Sequence, residues 1–216
     1  MRLILIRHGQ TPSNVGGHLD TAVPGPGLTE LGHDQAAALP EALQHEGIEA
    51  IYVSNMVRTH HTAQPLAEAL QLTPEVRDGL REIAAGELEM RNDWPSVKQY
   101  LEVVRGWADD AEVRMPGGEN GVEVFERFDS VVREIAASGV QTAAIVSHGA
   151  MLHYWVPSAA HNLSPEFSSN NQITNTAVIV LEGHPDAGWT VETWVGQAIG
   201  GAALTALDAD GPTADG

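Results

Sequence analysis

Three short apolar runs restrict this chain to very few fold classes. Residues 3–6, 50–53 and 143–146 are four-residue runs without a charged side chain. Strands covered on both faces have this composition, whereas strands with one solvent-facing side alternate apolar and polar residues. The first two runs are each followed by a loop and then a stretch with helical periodicity, and the third leads almost directly into one. This alternation predicts an α/β protein with a mainly parallel sheet.

The rest of the sequence predicts the helices and two further strands. Helices are predicted at residues 28–43, 56–70, 94–107, 119–137 and 151–156, and two late strands at 176–181 and 190–195. Because only a short turn-rich segment separates those two strands, we predict that they pair antiparallel. The expected architecture is a three-layer α/β/α sandwich whose central sheet is mainly parallel with one antiparallel strand. For the helix at 119–137, the predicted inner face is Val122, Phe125, Val132 and Ile135.

The length of 216 residues suits one domain. We predict a single domain over residues 1–199, with a helical excursion at about 90–116. Residues 200–216 are rich in Gly, Ala and Asp. Such a composition predicts a flexible tail.

Charge and cysteine content exclude several classes of protein. Eleven Lys and Arg residues stand against 29 Asp and Glu residues, for a formal charge of −18. This balance argues against nucleic acid and against an anionic membrane surface as partners. The absence of Cys excludes a disulfide scaffold, a thiolate nucleophile and a Cys-ligated metal. No apolar run approaches the ~20 residues of a membrane span, and the N-terminal run is too short for a secretion signal. We expect a soluble, cytoplasmic protein, and the sequence leaves homo-oligomerisation open.

Two histidines occupy the same kind of position. The run at 3–6 leads into Arg7-His8-Gly9, and the run at 143–146 leads into Ser147-His148-Gly149. In open α/β sheets, ligands bind outside the carboxyl ends of the strands. One histidine after a strand is more often a hydrogen-bonded surface residue. Two in the same strand–His-Gly context favour a functional site at this edge.

Arg7 suggests which ligand that site takes. A guanidinium group presents a planar fork that matches a pair of phosphate oxygens. Asn14 follows within the next loop and can donate from its side-chain amide. Arg58 lies near the start of the second predicted helix, where the helix dipole also favours an anion. Taken by itself, an Arg at the start of a helix more often forms an ion pair with a nearby Glu. Arg58 is a candidate ligand of the anion only together with Arg7, His8 and His148.

The segment Leu5-Ile6-Arg7-His8-Gly9-Gln10-Thr11-Pro12-Ser13-Asn14 resembles the R-H-G-x-T-x-x-N signature of the histidine phosphatase superfamily, branch 1, which is phosphoglycerate-mutase-like. Further motifs similar to those of this family follow in order between residues 3 and 182. They are Leu28-Thr29-Glu30-Leu31-Gly32 with Gln35-Ala36, Ser54 with Arg58 and Thr62-Ala63, Leu80-Arg81-Glu82 with Gly86, Pro116-Gly117-Gly118-Glu119 with Arg127, Ser147-His148-Gly149, and Asn175-Thr176-Ala177. The ordered set is far more specific than any one piece.

This resemblance implies a mechanism. His8 would attack phosphorus and become phosphorylated, and water would then release inorganic phosphate. The phosphoryl oxygens would be held by Arg7, Asn14, Arg58 and His148. Glu82 would serve as the proton donor and acceptor because it occupies the Glu of the family pattern L-x-E-x-x-x-G. The same loop offers Glu87 and Glu89 as alternatives.

We expect no cofactor and no metal, because the arginines supply the positive charge that a metal ion supplies elsewhere. The adjacent His60 and His61 do not suggest a metal site, since consecutive side chains on a helix point about 100° apart. His153 has no partner at ligand spacing.

The charge pattern favours a phosphatase over a mutase. A mutase of this family binds a bisphosphate, which needs basic residues beyond the phosphate clamp. The predicted excursion has only Arg91, Lys98, Arg105 and Arg114 among many acids. We therefore expect a small-molecule phosphomonoester as substrate. A phosphoglycerate-type phosphomutase and a non-catalytic phospho-ligand binding protein remain as alternatives. The aromatic residues Trp94, Tyr100 and Trp107 are expected to face the core rather than a substrate pocket.

Overall fold

A six-stranded sheet forms the centre of the computed structural model, which describes residues 1–163, 167, 171–206 and 209–212. The strand order is β3-β2-β4-β1-β5-β6. The strands are β1 (Arg2–Arg7), β2 (Ala50–Val53), β3 (Glu75–Val76), β4 (Thr142–Ser147), β5 (Val178–His184) and β6 (Gly188–Val195).

The direction of one strand differs from that of the others. β1 pairs parallel with β4, β4 with β2, and β2 with β3. β5 is antiparallel to both of its neighbours, β1 and β6. The prediction of a mainly parallel sheet with one antiparallel strand is therefore confirmed. The short strand β3 was not predicted, because its two residues are exposed and form no apolar run.

The helices cover both faces of this sheet. In the described residues they are α1 (Pro12–Val15), α2 (Glu30–Ala37), α3 (Leu39–Leu43), α4 (Val57–Leu70), α5 (Trp94–Gly106), α6 (Gly121–Ala137) and α7 (Gly149–Ala159). Successive residues of a strand point to opposite faces. In β1, Leu3 and Leu5 join the apolar core beneath α5, α6 and α7, whereas Ile4 and Ile6 join the core beneath α3 and α4. This arrangement is the predicted three-layer sandwich.

The inner face of α6 differs in part from the prediction. The structure buries Val132 and Ile135 as expected, but Val122 is 47% exposed. Phe125 is only partly buried, at the edge of the core, where its ring meets Trp107 edge-on. The buried row instead contains Val124, Phe128, Val131, Val132 and Ile135. The predicted and the observed set of residues both have helical spacing. Which set is buried depends on how α6 packs against the sheet, and the spacing of apolar residues does not specify this.

The predicted excursion contains α5. Tyr100 and Trp107 are buried, as expected for core residues, but Trp94 is 68% exposed. The wrong expectation for Trp94 has a local cause, because it is the first residue of the helix after the N-cap Asp93 and precedes the buried stripe. Residues 207–208 and 213–216 of the predicted tail lie outside the described residues. None of the helices that the structure describes is both long enough and apolar enough to cross a bilayer.

Candidate active site

His8 and His148 lie side by side at the carboxyl edge of the sheet. The neighbouring strands β1 and β4 pair in register, with Arg7 opposite Ser147, so the two residues that follow meet. The backbone N–H of His8 donates to the carbonyl oxygen of Ser147 at 3.0 Å. The centroids of the two imidazole rings are 5.3 Å apart. The structure thus joins two residues that are distant in the sequence.

The ring of His8 is held in one orientation. Its Nδ1 lies 2.8 Å from the carbonyl oxygen of Gly9, which places the N–H on Nδ1 and leaves the lone pair on Nε2. The buried ring lines the cavity at the sheet edge. Burial, and next the charges of Arg58 and Arg7, hold the pKa of His8 well below its ordinary value. His8 is therefore a neutral imidazole with a free lone pair at neutral pH.

His148 is also held neutral, but by side chains. Its Nε2 lies 2.8 Å from Oγ of Ser54, and Arg58 Nε donates to its Nδ1 at 3.3 Å. A proton on Nδ1 would face the N–H of Arg58, so the proton of the neutral ring belongs on Nε2. Burial is the largest cause that lowers the pKa of His148, followed by the charge of Arg58. Ser54 was not predicted as a site residue, although it directly follows β2, which lies next to β4 at the same edge.

Arg7 and Arg58 are buried cations whose hydrogen bonds, within the described residues, go to carbonyl oxygens and to an imidazole. Arg7 is 1% exposed and Arg58 is 3% exposed. Arg7 donates from Nη1 to the carbonyl oxygen of Ile173 at 2.5 Å and from Nη2 to that of Asp210. Its Nε has no partner in the part of the chain that the structure describes. Besides His148, Arg58 donates from Nη2 to the carbonyl oxygen of Asp20 at 3.0 Å. Burial lowers the pKa of both guanidinium groups, and nearby acids, including Glu82, oppose this.

Asn14 presents its amide group to the cavity. It lies on the one-turn helix α1, and its Oδ1 accepts from the backbone N–H of Thr11 at 3.0 Å and from Nδ2 of Asn175 at 3.2 Å. Because the oxygen is used in this way, the Nδ2 group remains for donation, and Asn14 lines the cavity. Asn175 also donates to the carbonyl oxygen of His8 at 2.9 Å. Asn175 therefore links the side chain of Asn14 to the backbone of His8.

Among the three acids of the loop before α5, the structure brings only Glu82 to the cavity. Its carboxylate accepts from the backbone N–H groups of Ile83, Ala150 and Met151 at 2.9–3.1 Å. Two of these donors belong to the first turn of α7, directly after His148. Glu87 is exposed. The carboxylate of Glu89 instead binds the backbone N–H groups of residues 21 and 22 and the hydroxyl of residue 21.

The rest of the cavity wall comes from residues that were not predicted as site residues. They are Thr11, Ser13, His18, Leu19, Asp20, Thr21, Tyr100 and Pro212. The expectation that Tyr100 faces the core rather than a pocket is wrong in part, because this buried side chain also lines the cavity. The hydroxyl of Tyr100 donates to the carbonyl oxygen of Ile83 at 3.0 Å. Burial, with the charge of Glu82 next, raises the pKa of Tyr100 well above its ordinary value, so this hydroxyl stays neutral.

Comparison with known proteins agrees with this geometry. The model of the histidine phosphatase superfamily (branch 1) matches residues 3–196. The chain belongs to this superfamily. The adenosylcobalamin/alpha-ribazole phosphatase of Salmonella typhimurium is 34% identical over 156 residues, which cover 70% of this chain and 76% of that protein. A glucosyl-3-phosphoglycerate phosphatase of Mycobacterium tuberculosis is 32% identical over 170 residues, covering 70% and 71%.

A PE-PGRS family protein of Mycobacterium tuberculosis is 35% identical over 226 residues. The match covers 95% of this chain, and the chain spans 38% of the length of that protein. Among solved structures, mycobacterial glucosyl-3-phosphoglycerate phosphatase superposes with a TM-score of 0.75 at 25% identity, covering 90% of this chain and 98% of that one. The superfamily match and these phosphatases place the chain among the hydrolases that act on phosphate esters.

Proposed function

We propose that this chain is a phosphatase that hydrolyses a small-molecule phosphomonoester through a phosphohistidine on His8, without a metal. The main support is the pair of buried guanidinium groups, Arg7 and Arg58, whose side-chain hydrogen bonds within the described residues go to carbonyl oxygens and to an imidazole. Buried charges are usually paired or bind a ligand. Two such cations beside a neutral imidazole suit a phosphoryl group.

In the first step, the lone pair of His8 Nε2 attacks phosphorus in line with the ester bond. The P–N bond forms, the P–O bond to the leaving alcohol breaks, and the Glu82 carboxyl group gives its proton to the leaving oxygen. In the second step, water attacks phosphorus, Glu82 takes a proton from this water, and the P–N bond breaks. The products are inorganic phosphate, the alcohol and neutral His8.

The side chains around the phosphoryl group stabilise its negative charge. Arg7, Arg58 and Asn14 hold the phosphoryl oxygens and offset the charge that these oxygens carry in the transition state. His148 can donate to a phosphoryl oxygen, as predicted, only if it exchanges a present partner, because its two ring nitrogens already bind Ser54 and Arg58. Because two guanidinium groups supply this positive charge, the proposed route needs no metal ion.

A mutase would need a second anion site. In the described wall of the cavity, the only side chains with a permanent positive charge are Arg7 and Arg58. Cytoplasmic location and homo-oligomerisation stay predictions.

The test is to trap the intermediate. We expect rapid mixing with a ³²P-labelled phosphomonoester, followed by alkaline quench, to give a protein-bound label that is stable in base and labile in acid. His8→Ala should abolish both this label and the turnover of p-nitrophenyl phosphate, with an unchanged circular dichroism spectrum. The control is His45→Ala, which changes an exposed histidine outside the site. Retained turnover in His8→Ala would reject His8 as the nucleophile.

A further inference from the structure

The cavity has a second functional side, where the alcohol part of the substrate must lie. The groups proposed to hold the phosphoryl oxygens form one part of the wall. Ser13, Asp20 and Tyr100 form another part that has no role in that proposal. Specificity for the leaving alcohol must come from such side chains, because every substrate of the enzyme shares the phosphoryl group.

Asp20 lies directly next to the phosphoryl site. Its carbonyl oxygen accepts from Nη2 of Arg58 at 3.0 Å, which fixes the backbone of Asp20 beside a guanidinium group. Its carboxylate accepts a hydrogen bond from the hydroxyl of Ser13. A carboxylate has about four lone-pair positions, so acceptor capacity remains for a ligand. Asp20 is half-buried and lines the cavity, and this capacity is therefore available to the leaving alcohol.

In the described wall of the cavity, the only side chains with a permanent positive charge are the two arginines of the phosphoryl site, and the imidazole of His18 lines the same wall. None of the other eight arginines lines the described wall of the cavity, and seven of them form ion pairs with carboxylates. These are Arg2, Arg77, Arg81, Arg91, Arg114, Arg127 and Arg133. A second anionic group on the substrate would therefore meet a carboxylate on this side and no free guanidinium group. Repulsion between the Asp20 carboxylate and an anionic leaving alcohol would exclude such esters, and repulsion of wrong substrates contributes to specificity as much as attraction of the right one.

We propose that Asp20 selects phosphomonoesters whose leaving alcohol is uncharged or cationic and carries a hydroxyl or amino group, and that it rejects esters with a carboxylate or a second phosphate on the alcohol. This inference rests on the proposed phosphatase function and names its substrate class. The hydroxyl or ammonium group donates to the Asp20 carboxylate, while Ser13 keeps this carboxylate in place.

A matched pair of substrates tests the proposal. Glycerol 3-phosphate and 3-phosphoglycerate share a three-carbon skeleton and the phosphate position, and they differ in a CH₂OH group against a carboxylate. We expect kcat/KM to be at least about tenfold higher for glycerol 3-phosphate. Asp20→Asn should reduce this preference by about tenfold, as expected for the loss of one nearby charge. The matched control is Asp186→Asn, which removes the same charge from a side chain that is 88% exposed and should leave the preference unchanged.

Equal or higher kcat/KM for 3-phosphoglycerate in the wild-type chain would overturn the proposal, as would an unchanged preference in a folded Asp20→Asn variant. If both esters react too slowly, their inhibition constants against p-nitrophenyl phosphate turnover provide the same comparison in the wild-type chain, without any variant. Turnover of p-nitrophenyl phosphate with no discrimination between the esters would reject only the role of Asp20. No release of phosphate from any of the three esters would reject the proposed function itself.

Discussion

At the scale of single residues, the site depends on keeping two imidazoles neutral. His8 and His148 are buried next to Arg58, whose charge is the second cause, after burial, that lowers the pKa of each ring. The hydrogen bonds determine which ring nitrogen carries the proton. His8 has its N–H on Nδ1, toward the carbonyl oxygen of Gly9, and His148 has its N–H on Nε2, toward Ser54. Arg58 therefore has two roles, as a proposed phosphoryl ligand and as the cation that disfavours imidazolium.

This double role predicts a particular pH profile. In Arg58→Gln we expect kcat/KM for p-nitrophenyl phosphate to fall roughly 10²–10³-fold, the usual loss for one transition-state donor. The acidic limb of the profile should also move to higher pH, because the pKa of His8 rises toward its ordinary value when the cation is removed. The control, Arg133→Gln, removes an exposed arginine that pairs with Glu126. A lower rate with an unmoved acidic limb would contradict the electrostatic role.

At the scale of elements, the His8 motif depends on the close approach of two chain segments. Gly9 follows β1 and packs against the start of α2. A Cβ atom on Gly9 would lie 2.7 Å from the carbonyl oxygen of Gly32, which is backbone and cannot move aside like a flexible side chain. The glycine after the histidine is thus required for the packing between the loop and the helix.

Gly9→Ala should therefore destabilise the fold. We expect the free energy of unfolding to fall by about 1–3 kcal/mol, the usual cost of overpacking. Urea unfolding monitored by circular dichroism measures this change. The control is Gly106→Ala at the end of α5, where an added Cβ meets no atom within 4 Å. If Gly9→Ala and Gly106→Ala have the same stability, the close contact does not constrain the loop.

At the scale of the whole molecule, a third buried histidine couples stability to pH. His153 lies in α7, and its Nδ1 has no hydrogen-bond partner among the described residues. Burial, with the charge of Arg105 next, lowers the pKa of His153 to about 4. The unfolded chain therefore takes up this proton at a higher pH than the folded chain. Stability from this group is complete above about pH 6.5 and is lost as the pH falls toward 4.

His153→Leu should remove this loss. Between pH 7 and pH 4.5, we expect the free energy of unfolding of the variant to gain about 2–3 kcal/mol relative to the wild-type chain, from about 1.4 kcal/mol per pKa unit. Urea unfolding at the two pH values measures the difference, and the titration of carboxylates cancels in the comparison. His45→Leu, at an exposed position, should show no such gain. A pH-independent difference for His153→Leu would contradict the assigned shift.

The sequence by itself determined the features that depend on short stretches of chain. Apolar runs without charged residues predicted β1, β2 and β4, because a strand covered on both faces excludes polar side chains. The His-Gly pairs after two of these runs predicted that His8 and His148 would share one edge, since parallel strands end together. For the same reason the prediction placed Arg7 there, and the order of motifs indicated the superfamily.

Only the tertiary structure decided which side chains complete the cavity. Asp20 lies in a segment without a distinctive local pattern, and its place beside Arg58 is set by a contact across 38 residues of chain. Ser54 follows a predicted strand, but its hydrogen bond to His148 is set by the pairing of β2 with β4. The choice of Glu82 over Glu87 and Glu89 depends on the first turn of α7, which supplies two of its donors. Local patterns determine which face or end of an element a residue occupies, whereas the neighbour on that face depends on how distant elements pack.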